Sequence, residues 1–238
     1  MRRWAAAMVA AGVLAGYVRV RPWFLQWGLA PGEADAPLPG DDLVRAPDMV
    51  TTRGISIDAP PGDVWPWLVQ MGQGKGAFYS YDWLENLFGL DLHNATSVVE
   101  GWQGLAVGDQ LRAAPDSAGP EAGFTVVAID PGRSLVTVVG DPARVLPQAQ
   151  AGDVPDGATW AFVLQPLGQH RTRLLVRLCA RFDLPAPASW VVQRVLEPVH
   201  FVMERKQLLG IRARAGGVLA PQGLPIAPVV SPVSASTG

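Results

Sequence analysis

The chain has 238 residues, enough for one large domain or two small ones. Its formal net charge is -2 and 17% of its residues are charged, so no basic surface calls for nucleic acid. The lone cysteine, Cys179, excludes an internal disulfide framework; lying in an apolar strand-like run, it reads as a small buried hydrophobe rather than a catalytic thiol.

In chain order, the first element is apolar. Arg2 and Arg3 precede a run from Trp4 to Val18 that holds no charged or strongly polar side chain, and Arg19 and Arg21 follow. As a helix this run spans roughly 22 Å, short of the roughly 30 Å hydrocarbon core of a bilayer. Residues 1–27 are read as an uncleaved membrane anchor, a transmembrane helix with snorkelling arginines and with Trp4, Tyr17, Trp23, Phe24 and Trp27 at the interfaces. A cleaved signal peptide and a soluble helix are the competing readings, although Leu14-Ala15-Gly16-Tyr17 gives no clear cleavage site. Arginines at both ends leave the membrane side open. A membrane-associated protein with a single N-terminal anchor is therefore expected, and protein beginning at Val50 is expected to be soluble.

Residues 28–49 place Pro31, Gly32, Pro37, Pro39, Gly40 and Pro47 among acidic residues and read as a linker. The domain proper is expected over 50–215. It opens with a strand at Thr51–Asp58, with Ile55 and Ile57 on one face. Pro60-Pro61-Gly62-Asp63 then starts a helix carrying Val64, Trp65, Trp67, Leu68 and Met71, which the following glycines stop. A second short helix is predicted over Asp82–Phe88. Two hairpins follow: Gly123–Ile129 with Ser134–Val139, around the turn Asp130-Pro131-Gly132-Arg133, and Ala158–Gln165 with Thr172–Phe182. Between them, Pro142–Gly157 reads as a long loop. In the last strand Leu174, Val176, Leu178 and Ala180 share one face, and Arg173, Arg177 and Arg181 are expected on a solvated other face. Pro187–Ala215 is predicted to be a long helix whose Val191, Val195, Val199, Val202 and Leu209 form a buried stripe. Residues 216–238, rich in proline, serine and valine without periodicity, are expected to be disordered.

This order is α+β: a curved antiparallel sheet wrapped around one long C-terminal helix, with a cavity between them. It resembles the helix-grip fold of the START-like, or SRPBCC, superfamily, which includes polyketide cyclase/dehydrase-like and Bet v 1-like proteins. The residues that carry the resemblance are Ile57-Asp58-Ala59-Pro60-Pro61, Val64-Trp65-Pro66-Trp67-Leu68, Gln70-Met71-Gly72, Gly76 with Phe78-Tyr79-Ser80-Tyr81-Asp82, Gly108-Asp109 and the helix Glu197–Gly210. Within that superfamily the chain is most similar to an actinobacterial-type group with a short N-terminal hydrophobic segment. The resemblance implies a fold and a cavity. It assigns no reaction, because members of this fold transport, sense, cyclise or simply bind.

The densest chemistry lies in Val64–Ala95. Aromatic residues there are interleaved with Lys75, Asp82, Glu85, Asp91 and His93 around Gly72-Gln73-Gly74-Lys75-Gly76. Large apolar area with a few inward polar groups is the composition of a small-molecule pocket. The glycine run lacks the spacing and the Ser or Thr of a phosphate loop, and reads as a flexible hinge at the pocket edge. Ligand-lining candidates are Trp65, Trp67, Phe78, Tyr79, Tyr81, Trp83, Trp102, Trp160, Phe162 and an inward Val199. Asp82, Glu85 and His93 are weak acid/base candidates. Glu197, His200 and Glu204 lie at helical spacing, but no second ligand cluster accompanies them. They are read as a structural trio, and no metal or other cofactor is expected.

Three functions remain open. The first is a membrane-tethered domain that binds a hydrophobic or amphipathic small molecule, lipid or polyketide-like. The second is a cyclase- or dehydratase-like enzyme using the same cavity, and the third an interaction domain with a filled core. The expected partners are that small molecule and a membrane, and no nucleic acid.

Overall fold

The computed structural model describes residues 2–155 and 157–217, so the expected disorder of 218–238 lies outside the described residues. Six antiparallel strands form one sheet: β1 (Met49–Ile57), β2 (Gln110–Arg112), β3 (Gly123–Asp130), β4 (Ser134–Val139), β5 (Gly157–Pro166) and β6 (Thr172–Arg181). Their order is β1-β6-β5-β4-β3-β2. Both hairpins form as expected, and in the first the Arg133 amide closes the turn on the Asp130 carbonyl at 2.9 Å. A register shift between Val126 and Ala128 bends β3, and a bulge of this kind adds curvature to the sheet.

The period-two alternation of the strands sends Ile55, Ile57, Phe162, Leu164, Leu174 and Val176 to the inner face, where they join one core with Val64, Trp67 and Leu68 of the helix α2 (Pro61–Val69). A short helix, α3 (Asp82–Leu87), follows α2. The thirty-residue helix α5 (Ala186–Ala215) packs against β1 and α2 and closes the inner side. The helix-grip arrangement anticipated from the sequence is present.

The outer face departs from expectation. Residues 28–48 do not hang free as a linker; they strap the back of the sheet. Arg173 and Arg177 are buried rather than solvated, each paired at 2.5 Å, with Glu33 and Asp41 respectively. They also donate to the carbonyls of Gly28, Ala34 and Ala36. Of the three arginines only Arg181 is exposed. Val44 of the strap is buried with Val138, Val145, Val154 and Cys179 in a second small core. Proline and glycine let the strap follow a curved surface without regular hydrogen bonds, and composition alone cannot tell such a strap from a free tether.

The loop expected over Pro142–Gly157 contains a helix, α4 (Pro142–Gln150), which adds Val145 to this outer core. Pro142 occupies the first turn, where proline is favourable, and Asp141 caps the helix by accepting from the Ala143 amide at 2.8 Å.

The first helix, α1 (Arg2–Leu25), is part of the same body through its C-terminal half. Tyr17 and Arg21 bind Glu197 of α5, and Phe24 is buried against Phe201. Arg53 donates to the Phe24 carbonyl at 2.8 Å. Among the described residues no helix is long and apolar enough to cross a membrane, so the transmembrane reading is not supported. Tyr17 and Phe24, expected at a lipid interface, serve internal packing instead.

The apolar stripe of α5 is also reversed except at Leu209, which packs against the inner core. Val191, Val195, Val199 and Val202 are 47–59% exposed, whereas Glu197, Glu204 and Gln207 are buried with Leu208 and Ile211. Amphipathic reasoning assumes that polar side chains seek water. Here Arg21, Arg53 and Trp160 supply partners for the two carboxylates inside.

Candidate functional site

A cavity of about 250 Å³ lies between α5 and the inner face of the sheet. The sheet contributes Phe124, Trp160 and Leu178, and the helix contributes His200, Met203, Glu204 and Gln207. The remaining wall comes from Phe78, Ser80, Glu85, Leu90 and Leu92, with Ala113 beyond β2. Leu90, His200 and Met203 are partly exposed and mark where it opens. The surface inside is overwhelmingly apolar.

The position of Phe78 follows from the backbone around it. Its neighbours Ala77 and Tyr79 hold φ angles of 51° and 60°, a left-handed conformation that non-glycine residues adopt only when the surroundings enforce it. Tyr79 is fixed by its hydroxyl, which donates to the Trp67 carbonyl at 2.9 Å, and by its amide, which donates to Asn94. Gly210 of α5 lies directly over it: a Cβ there would meet the Tyr79 carbonyl oxygen at 2.5 Å and its Cβ at 2.9 Å. The absent side chain of Gly210 lets α5 seat on this strained segment, which turns Phe78 into the cavity beside Trp160 and Phe124, each at 6.0 Å between ring centroids.

Two polar atoms stand out in this apolar space. Glu85 Oε2 and Gln207 Oε1 are buried and have no hydrogen-bond partner among the described residues. Such orphaned acceptors are rare, because an unmet buried polar group costs about 1–3 kcal/mol. Burial, reinforced by the nearby Asp82 carboxylate, pushes the Glu85 carboxyl up to about 7. At neutral pH it is poised between its neutral and charged forms.

Three of these wall residues, Trp160, His200 and Glu204, share a network with buried Arg53, whose Nη2 alone is left without a partner among the described residues. Glu204 accepts from Arg53 and, at 2.9 Å, from Trp160 Nε1. Arg53 Nη1 also donates to His200 Nδ1 at 2.9 Å, which leaves the proton of a neutral imidazole on Nε2, 3.5 Å from Glu204 Oε1. Burial holds His200 below its usual pKa, consistent with that neutral form. One turn earlier on α5, Glu197 accepts from Arg21 at 2.6 and 2.7 Å and from Tyr17 at 2.8 Å. Burial alone would raise its carboxyl, but these hydrogen bonds outweigh it and keep the group below the ordinary range. All three residues of the trio are thus engaged with Arg21, Tyr17, Arg53 or Trp160, while His200 and Glu204 also face the cavity. Among the described residues no group of three His, Cys, Asp or Glu side chains is placed to hold a metal ion.

An antiparallel sheet gripping one long C-terminal helix, with the cavity held between them, decides the architecture. The fold is a helix-grip fold. No family model matches the chain and no curated protein matches it. Solved structures similar to it include the Polyketide_cyc-like protein Cgl2372 from Corynebacterium glutamicum, 14% identical over 72% of this chain and 93% of that one, with a TM-score of 0.37. A protein from Arthrobacter aurescens is 15% identical over 71% of this chain and 86% of that one, with a TM-score of 0.39. The di-domain ARO/CYC BexL from the BE-7585A biosynthetic pathway is 11% identical over 73% of this chain and 48% of that one, with a TM-score of 0.37. Identities this low say nothing about what this helix-grip chain binds.

Of the lining residues expected from sequence, Phe78 and Trp160 face the cavity, and Glu85 of the acid/base candidates does too. Trp67, Tyr79 and Phe162 are buried in the surrounding core, with Trp65 packed against it. Tyr81 is half-buried beside Trp83 and Lys206, and Trp102 is half-buried in a short 3-10 turn. Trp83 and Val199 are exposed at 70% and 55% and line nothing internal. His93 is exposed and pairs with Asp91 at 3.1 Å, while Asp82 is held by Asn94, so neither joins Glu85 in the cavity. The glycine run is not a hinge on the cavity either: Gly72 and Ala77 bond to each other and Gln73 donates to the Arg112 carbonyl, pinning the turn to β2.

The residues missed were Gln207, Phe124, Met203 and above all Arg53. A signal for Arg53 existed. Ile55 and Ile57 were placed on the inner face, and the same alternation carried back one step puts Arg53 there as well.

Proposed function

We propose that this chain binds a small, largely apolar molecule bearing at least one hydrogen-bond donor, held between α5 and the sheet. The observation that carries this reading is the pair of unpartnered buried acceptors, Glu85 Oε2 and Gln207 Oε1, in an otherwise apolar cavity of about 250 Å³. For comparison, a dry engineered cavity of about 150 Å³ accepts benzene. The space therefore suits a ring system or a short amphipathic chain, the size of a polyketide-like fragment, and not a whole phospholipid. Ring stacking on Phe78, Phe124 and Trp160 supplies the apolar contact, and a hydroxyl or amine on the ligand meets the open acceptors.

The test uses 2-naphthol, a neutral bicyclic phenol, as the probe. Ala113→Phe fills the cavity from the β2 side and is expected to abolish probe binding while leaving the unfolding temperature unchanged or higher. Native mass spectrometry of protein from its own cells identifies any retained ligand. Unchanged naphthol binding in Ala113→Phe overturns the reading. A second reading, acid/base catalysis on the bound molecule, draws on the raised Glu85 carboxyl alone, since His93 and Asp82 stand outside the cavity.

A further inference from the structure

The outward face of α5 is apolar for most of its first half. Val191, Val195, Val199 and Val202 recur on one side over roughly 16 Å of helix. Helices on either side extend this surface. Trp23 of α1, 57% exposed, stacks edge-on against Phe201 at 5.2 Å, and Lys206 of α5 lies 5.7 Å from the Tyr81 ring, which in turn contacts Trp83 at the start of α3.

The exposed charges that α1 and α5 bring to this surface have one sign. Arg19, Arg205 and Lys206 are exposed, and Arg194 lies partly exposed against Trp190 and Tyr17. Helix α1 contains no acidic residue, and both acids of α5, Glu197 and Glu204, are buried and paired. A second copy of the chain seated symmetrically on this face would set arginine and lysine against arginine and lysine. Residues 218–238 contain no Asp or Glu to answer those charges. An anionic lipid surface answers both properties at once, since its headgroups pair with the basic residues while valine and tryptophan enter the acyl boundary.

We propose that the protein lies on an anionic membrane through the outward face of α5, with α1 and α3 beside it, as an interfacial rather than a spanning contact. The cavity opens at Met203 and His200, close to the edge of this face, so an apolar ligand can pass between bilayer and cavity with little exposure to water. The membrane contact itself does not depend on the ligand reading.

The test is flotation of the full chain with vesicles of phosphatidylcholine and phosphatidylglycerol, with pure phosphatidylcholine vesicles alongside. The wild type is expected to float with the mixed vesicles, less with the neutral ones, and less again as salt is raised. The double substitution Val195→Glu/Val199→Glu, at side chains that already face water, is expected to lower partition at least tenfold with an unchanged circular dichroism spectrum. Arg205→Glu/Lys206→Glu should lower it on mixed vesicles only, since each basic residue near an anionic surface is worth roughly fivefold in partition. Leu167→Glu, in the turn between β5 and β6, serves as the control and should change nothing. Three results overturn the proposal: no flotation of the wild type, flotation unchanged by Val195→Glu/Val199→Glu, or a wild-type dimer that this double substitution dissolves. Naphthol binding measured without vesicles separates this outcome from the ligand reading.

Discussion

Glu85 gives the sharpest functional test. A neutral ligand that covers this carboxyl removes it from what little water reaches it; the protonated form avoids that buried charge and still offers its carbonyl oxygen to the ligand's hydroxyl, so it is the form that accepts the ligand. With its pKa pushed up to about 7, the carboxyl is mostly neutral at pH 6 and mostly charged at pH 8. If only the neutral form is competent, the apparent dissociation constant scales inversely with that fraction, which falls about tenfold between these two pH values. His200, also on the wall, is held below its usual pKa by burial, and the Glu85→Gln variant isolates any slope that it contributes. Stability runs the same way. The unfolded chain loses this proton near 4.5 and the folded chain near 7, so the contribution falls as pH rises from about 4.5 through 7. The assay is naphthol titration by fluorescence at pH 6, 7 and 8 for wild type and Glu85→Gln. Wild-type affinity should drop about tenfold across the range, and the Gln variant should bind with no pH dependence. At pH 8 the variant should also be more stable by about 1–3 kcal/mol. Flat binding in the wild type, or a slope that survives in Glu85→Gln, would refute the assignment.

Two further outcomes follow from the buried charges. Arg53→Met leaves Glu204 without its ionic partner and is expected to cost about 3–5 kcal/mol, or roughly 6–20 °C in Tm; Arg53→Met/Glu204→Leu should recover most of that loss, and a double variant no more stable than the single would refute the pairing. Cys179 is buried on the outer face, which pushes its thiol up, so native protein should react slowly with a thiol reagent. Asp41→Ala removes the strap's bond to Arg177, at about 1.5–3 kcal/mol, and should speed labelling of Cys179 roughly tenfold or more.

The strands and their hairpins were legible because alternation and turn chemistry are local. Asp130-Pro131-Gly132-Arg133 specifies its turn without help from the rest of the chain. The cavity was legible as aromatic density, and Phe78 and Trp160 were found that way. What failed were the elements whose partners lie far along the sequence. Arg173 and Arg177 look solvated until Glu33 and Asp41 are brought across the back of the sheet. The valines of α5 look like a core stripe until Arg21 and Arg53 are seen drawing Glu197 and Glu204 inward. Periodicity reports that a helix has two faces; which one turns inward depends on what waits there.

The position of α1 has a consequence for how the chain comes together. Its bonds to Glu197 join residues 176 and 180 positions apart, and β1 completes its pairing only with β6. During synthesis these residues therefore emerge long before β6 and α5, to which they and β1 are tied, with the apolar run Trp4–Val18 uncovered. The strap, α1 and β1 must wait for the last strand and the last helix, and such long-range closure is slow. Once formed, the two ends lock each other. Protein trimmed to begin at Val50 would lose Arg21, the Phe24 carbonyl, Glu33 and Asp41 together, leaving Glu197, Arg53, Arg173 and Arg177 without those partners. A cut that looks harmless along the sequence would pass through the middle of the folding unit.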